Sequence, residues 1–227
     1  MQQIAIRATV FLLCLAPFLV LAYQAVTAAL GPDPADVIMH TTGEWSLRFL
    51  ALTLLITPIR RYLRWPVLFK LRRMLGLYAF FYACVHLTSF GHFYVGWTPA
   101  ILLEELIERP YITVGFLGWL LMLPLAVTST RKIQRRMGRN WLRLHRLVYP
   151  AAILACLHLL WQTRSDIGEA LAYITVFAVL LGWRFWQYRM RRILAASSSA
   201  ESASASRCFW TKFRQLSSLC IKPSNYF

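Results

Sequence analysis

Five histidines stand at positions 40, 86, 92, 145 and 158 of this 227-residue chain. His145 and His158 lie near the two ends of one apolar stretch, Leu144 to Trp161 (LHRLVYPAAILACLHLLW), and His86 lies inside another, Leu75 to Phe93. A ligating or ionisable side chain inside a hydrocarbon-length segment points to function. Neutral imidazole is a common metal ligand and a standard axial ligand of haem iron. His145 and His158 are 13 residues apart. On a helix that is about 20 Å, most of the way across a hydrocarbon core of ~30 Å. One helix would therefore offer an imidazole toward each membrane face.

His86 is the partner that gives this chemistry a geometry. It lies about eleven residues into its span, and His158 about thirteen into its own. If both spans run in the same direction, the two rings reach a comparable depth. Two facing imidazoles at one depth between helices suit a six-coordinate b-type haem. With both axial positions filled, such a site favours electron transfer over oxygen binding. The plain alternative is a pair of histidines bonded to neighbouring helices. The inner candidate, His145, lacks a matching histidine, because the equivalent positions on the third span are Arg72 and Arg73. Arginine is a poor ligand but a good partner for propionates. Thirteen residues also leave His145 and His158 about 140° from sharing a face of an ideal helix. Pro150 could kink or retwist the helix between them, or His145 lies beyond its regular part or faces another partner. Arg48 interrupts an apolar run, where it either snorkels outward or meets an outer propionate. His40, in an expected outer loop, and His92, beside Gly91, are weaker candidates.

The elements that must carry these residues are read from composition and charge. Hydrophobic residues make up 58% of the chain and charged ones 15%, and mean hydropathy is +0.50. That is too apolar for a soluble domain and fits an all-α, polytopic membrane bundle. Six spans are expected: Ala8 to Leu30, Trp45 to Ile59, Leu75 to Phe93, Tyr111 to Thr128, Leu144 to Trp161 and Ala170 to Trp186. The first could instead be a cleaved signal peptide, with small residues at Ala25 to Ala29. It ends at the breaker Gly31-Pro32-Asp33-Pro34. Pro110 suits the first turn of the fourth span.

The net charge of +16 would suggest nucleic acid in a soluble protein. Here the charges sort by connection. Arg60 to Arg73 holds six Lys/Arg, Arg131 to Arg146 seven, and Arg184 to Arg192 four. Eight of the nine acids lie in the alternate connections, at Asp33, Asp36, Glu44, Glu104, Glu105, Glu108, Asp166 and Glu169. The positive-inside rule makes the basic connections and both termini cytoplasmic. Trp97, Trp141, Trp161 and Trp183 fall near the expected interfaces. Anionic lipid is then a sufficient partner for the basic excess, and nucleic acid is not required.

The five cysteines show neither a CxxC pair nor metal-ligand spacing, so no disulfide framework is read. From Ala195 a Ser/Ala-rich linker begins, and the chain divides into a membrane domain, 1–194, and a tail expected to be disordered, 195–227. There is no G-x-G-x-x-G, H-E-x-x-H or G-x-S-x-G. Electron donor and final acceptor must then lie on other molecules.

Five stretches, GPDPADVIMHTTGEWSLRFL, LRRMLGLYAFFYACVHL, ERPYITVG, LAVTSTRK and LHRLVYPAAILACLHLLW, resemble in order and spacing the MsrQ (YedZ) family. These are haem-binding membrane subunits in the ferric-reductase-like transmembrane superfamily. The likeness covers about Ala8 to Arg192. It implies a bacterial inner-membrane protein with haem b and an associated FMN. Such a subunit takes electrons from the quinone pool and passes them to MsrP, a periplasmic molybdopterin subunit that reduces methionine sulfoxide in oxidised proteins. Carried over by motif, the family's haem histidines fall on His86, His145 and His158, and Arg72/Arg73 depart from a symmetric second haem site. Two other readings stay open: a reductase acting directly on ferric iron or oxygen, and a non-redox transporter or scaffold with buried histidines.

Overall fold

The structure is a computed structural model that describes residues 2–63, 67–163 and 167–220. Within them, the side chains of 2, 3, 61, 62, 67, 69 and 199–220 are not described. Arg64 and Asp166, counted above among the sorted charges, lie outside the described residues, as do 221–227 and the side chains of most of the Ser/Ala segment.

All regular structure among the described residues is helical. The order is α1 (Gln2–Val26), α2 (Pro34–Leu63), α3 (Val67–Phe90), a π-helical turn (Gly91–Val95), α4 (Pro99–Glu108), α5 (Pro110–Val127), α6 (Arg131–Met137), α7 (Arg139–Leu144), a 3-10 turn (His145–Leu147), α8 (Val148–Gln162) and α9 (Ile167–Cys220). Five stretches are long and apolar enough to cross a membrane: Ile4–Val26, Lys70–Val95, Pro110–Val127, Arg139–Gln162 and Ile167–Ser198. This makes the chain a multi-pass membrane protein. The expected second span lies in α2, whose 30 residues reach about 45 Å. It is not among the five because Glu44 and Arg48 dilute its apolar run. Two compact units divide the chain, Met1–Leu180 and Leu181–Phe227.

Within the first unit α2 packs most extensively on α3, and α5 on α8; α3 also meets α5, and α1 lies against α3 and α2. The contacts use small side chains, as helix pairs in lipid do. Ala151 and Ala152 of α8 are buried, as is Ala79 of α3. A Cβ added at Gly118 of α5 would lie 3.6 Å from Leu154 Cβ on α8. Around this interior the surface is apolar: Phe11, Leu12, Leu13, Leu19 and Val20 of α1, Leu117 and Leu120 of α5, and Ile153, Leu157 and Leu160 of α8 are exposed. In water such a surface would drive aggregation; against acyl chains it is the expected outer face.

Pro17 interrupts α1 and cannot donate to the preceding turn. The Tyr82 hydroxyl of α3 enters the ladder beside it. It donates to the Cys14 carbonyl (3.0 Å) and accepts from the Phe18 amide (3.0 Å), the two groups that an unbroken helix would pair. Tyr78, one turn away, donates to the Phe11 carbonyl (3.0 Å). Two tyrosines thus bind α1 to α3 through backbone groups that no lipid could satisfy.

In the second unit Arg189 lies over the Phe185 ring and Arg192 over the Tyr188 ring, each pair one helical turn apart on α9. The hydroxyls of Ser197 and Ser198 donate to carbonyls three residues back.

Several boundaries differ from the expectations. His40 lies on a helix and not in a loop: the Asp36 amide donates to Asp33 Oδ1 (3.1 Å), so Asp33 caps α2 with Pro34 in its first turn. The Gly96 to Arg109 connection holds a helix of its own, α4. The stretch Leu144 to Trp161 is not one regular helix, because α7 ends at Leu144 and α8 begins at Val148. Pro150 is the cause. It has no amide to give the Arg146 carbonyl, so the chain tightens through a 3-10 turn before α8 and places Pro150 in the first turn, where it is tolerated.

Candidate functional site

His86 is in α3 and His158 in α8, and the bundle brings them together. Their ring centres are 6.2 Å apart with planes at 83°. Both rings are partly buried. His86 Nδ1 lies 3.0 Å from the Met39 carbonyl of α2, with Thr42 Oγ1 at 3.4 Å. His158 Nδ1 lies 2.7 Å from the Tyr111 carbonyl of α5. A carbonyl can only accept, so each Nδ1 is the protonated nitrogen and each Nε2 keeps its lone pair. A backbone carbonyl on one imidazole nitrogen is the usual way a protein orients the other toward a metal.

The space around each ring is made by a glycine. A Cβ at Gly115 of α5 would stand 2.7 Å from His158 Nδ1, and one at Gly43 of α2 would stand 3.2 Å from His86 Cε1. Each imidazole therefore lies directly on the backbone of the neighbouring helix that supplies its carbonyl, or one turn from it. Neither glycine stands out in the sequence, where a glycine in an apolar span reads only as weak helix.

The pair fits a bis-imidazole iron. Two metal–nitrogen bonds of about 2 Å, plus roughly 1 Å from each nitrogen to its ring centre, separate the centres by about 6 Å. Ring planes that share an axis can adopt any angle about it, 83° included. The orientation by carbonyls and the ring spacing together suit haem iron better than a pair of histidines satisfied by their neighbours, since among the described residues only one nitrogen of each ring has a protein partner.

His145 is apart from this pair, in the 3-10 turn at the opposite end of α8. Trp141 stacks on it, with centres 3.9 Å apart, and the Trp141 Nε1–H donates to the Thr128 carbonyl at the end of α5 (3.0 Å). Its Nδ1 is buried and meets no donor or acceptor in good hydrogen-bond geometry among the described residues, although the Trp141 backbone lies close enough to act on the ring. Arg72 of α3 is close enough to act on it electrostatically. Arg73 is exposed. His92 is exposed in the π-helical turn, its ring edge on Phe93.

Arg48 belongs to a polar cluster beside the His86 and His158 pair. Its Nη2 donates to Glu44 Oε2 (2.5 Å), its Nε to the Tyr173 hydroxyl of α9 (3.0 Å), and its guanidinium lies over the Trp45 ring. His40 Nδ1 is 2.8 Å from Glu44 Oε1. The sequence reading missed Tyr173 and the role of Glu44; the i, i+4 series His40, Glu44, Arg48 was the signal, visible once α2 is extended back to Pro34.

Residues 42–156 match the family model described as ferric reductase like transmembrane component. The match contains Gly43, Arg48, Arg72, His86, Gly115 and His145, and ends two residues before His158. The chain is 51% identical over 180 residues to the protein-methionine-sulfoxide reductase heme-binding subunit MsrQ of Xanthomonas oryzae pv. oryzae (strain MAFF 311018), covering 78% of this chain and 82% of that one. To the MsrQ of Xanthomonas campestris pv. campestris (strain 8004) it is 48% identical over 205 residues, 87% and 93% of the two chains. To that of Herminiimonas arsenicoxydans it is 43% identical over 194 residues, 84% and 89%. No solved structure matches the chain.

Proposed function

The chain belongs to the MsrQ family of heme-binding subunits, within the ferric reductase-like transmembrane proteins, and on that premise we propose that it is the haem b electron-transfer subunit of a protein-methionine-sulfoxide reductase. In this reading it sits in the bacterial inner membrane, with six spans and both termini in the cytoplasm. Residues 1–194 carry the function, and 195–227 are a cytoplasmic extension. Electrons come from the quinone pool and leave to a periplasmic molybdopterin subunit, MsrP, which holds the catalytic site.

The observation that carries the proposal is the His86 and His158 pair: rings 6.2 Å apart on two helices, each with Nδ1 committed to a backbone carbonyl. These two residues hold the iron. With His86 and His158 holding it, the haem would supply one-electron exchange. The chain's own part is orientation and exclusion. Met39 and Tyr111 fix the tautomers, Gly43 and Gly115 let the rings seat against helix backbone, and the exposed apolar side chains keep the site within lipid.

At the inner end, His145, partly buried beneath Trp141, serves a second haem or the electron entry point, and Arg72 and Arg73 meet propionates. Arg48 is the outer propionate contact, through the donors that Glu44 and Tyr173 leave over. FMN enters through family resemblance, with the basic inner connections as the place for its phosphate. The acidic residues of α4, Glu104 and Glu108, face the soluble partner. The test is purification of the full chain in detergent from haem-sufficient cells that also express the molybdoenzyme. A Soret band, b-type bands on reduction and a copurifying molybdopterin protein are expected. Protein that is optically blank would overturn the reading, and coloured protein that never retains the partner would overturn the assignment of MsrP.

A further inference from the structure

Beside the histidine pair, three potential ligand groups converge from two helices: His40 and Glu44, one turn apart on α2, and Glu169, in the first turn of α9. Their ligand atoms all lie within 4.8 Å of one another. We propose that they form a binding site for a divalent transition metal of the zinc type, separate from the haem.

Three features of the cluster point to a cation. The first is the donor set. Imidazole and carboxylate are both ligands of zinc, and metal–ligand bonds of about 2 Å require donor atoms roughly 3 to 4 Å apart. The ligand atoms already lie within 4.8 Å of one another, close to that separation. The second is orientation. Glu44 Oε2 is fixed by Arg48, and Arg48 is fixed by Tyr173, which lies one turn beyond Glu169 on α9. Ligating carboxylates are commonly held in this way by an outer partner, and here the same arginine ties both ligand-bearing helices together. Glu44 Oε1 is left to face His40 Nδ1 at 2.8 Å, the contact that an ion would enter.

The third is charge. Two carboxylates share one arginine. Glu169 makes no hydrogen bond and no ion pair within 4 Å among the described residues, although it is only partly exposed and stands within the field of Arg48. The His40 side chain, 61% exposed, gives an ion a path in from solvent. The site differs from the other acidic groups of the chain. On α4, Glu104 and Glu108 are exposed without a histidine, and Glu105 is taken by Arg109 at 3.1 Å.

The experiment uses the full chain, purified with its haem and freed of loose metal by a chelator, with Zn2+ itself as the probe. One equivalent of Zn2+ is expected to bind and to raise the unfolding temperature. His40→Ala and Glu169→Gln should each weaken binding by about tenfold or more. Glu108→Gln should not. Neither weakening variant replaces Arg48 or Glu44, and unchanged unfolding temperatures without Zn2+ would show both to be folded. Absence of stoichiometric binding would overturn the site. So would Zn2+ affinity indifferent to either variant, including a loss confined to His40→Ala.

Discussion

Gly115 of α5 and His158 of α8 stand so close that a single methyl group would separate them: a Cβ on Gly115 would lie 2.7 Å from His158 Nδ1. That is shorter than van der Waals contact allows, and the ring is also held by the Tyr111 carbonyl at 2.7 Å. Gly115→Ala should therefore displace the ring and lose most of the bound haem, read as Soret absorbance per protein. Gly43→Ala, at 3.2 Å from His86, should lose less. Gly118→Ala, whose Cβ would meet Leu154 at an ordinary 3.6 Å, should keep wild-type haem content. Equal retention in all three would contradict the seating of the rings on helix backbone.

Tyr82 and Pro17 should be energetically coupled. Tyr82→Phe removes the hydroxyl that serves both the Cys14 carbonyl and the Phe18 amide, and a cost of ~1–2 kcal/mol is expected. In a Pro17→Ala background α1 can close its own ladder, so the same substitution should cost less than half as much. Thermal unfolding of the four proteins in detergent measures the difference. Additive losses would show that the hydroxyl does not compensate for the proline.

How much of this was legible beforehand depends on the kind of signal. The spans were readable because ~20 apolar residues in a row have few other fates, and Pro110 marked the start of α5 where it is found. The pairing of His86 with His158 followed from equal depth on co-directional spans. The end of α1 and the start of α2 were read less well. Gly31-Pro32-Asp33-Pro34 reads as a breaker, but Asp-Pro before Ala-Asp is also a helix cap, and α2 begins there. The orientation of the rings was not readable at all. It rests on carbonyls of Met39 and Tyr111, which every residue possesses, and on glycines whose meaning appears only when a second helix is laid against them. The break before α8 was half visible: Pro150 warned of a distortion, but its form, a 3-10 turn that isolates His145, depends on backbone geometry.

His145 and His158 should separate functionally. His158→Ala should abolish the outer haem signal. His145→Ala should leave that signal in place and slow its reduction by a membrane-soluble quinol by roughly tenfold, the scale of losing a supporting group around a metal centre. Arg72→Ala should act in the same direction. Stopped-flow reduction followed in the Soret region makes the comparison. Loss of the outer signal in His145→Ala would place both histidines at one centre.

Topology gives a prediction that owes nothing to the cofactor. A cysteine at Glu104, exposed on α4, should react with a membrane-impermeant thiol reagent added to intact cells, and one at Arg135 on α6 should not until the membrane is opened. The reverse pattern would invert the chain and put the His86 and His158 pair toward the cytoplasm.

The central claim is that His86 and His158 are the two axial ligands of one iron. Electron paramagnetic resonance of the oxidised full chain tests it most directly. The account predicts a low-spin ferric signal of bis-imidazole type that is lost in His86→Ala and in His158→Ala alike, with exogenous imidazole restoring it in part. A low-spin signal that survives either substitution unchanged would contradict it.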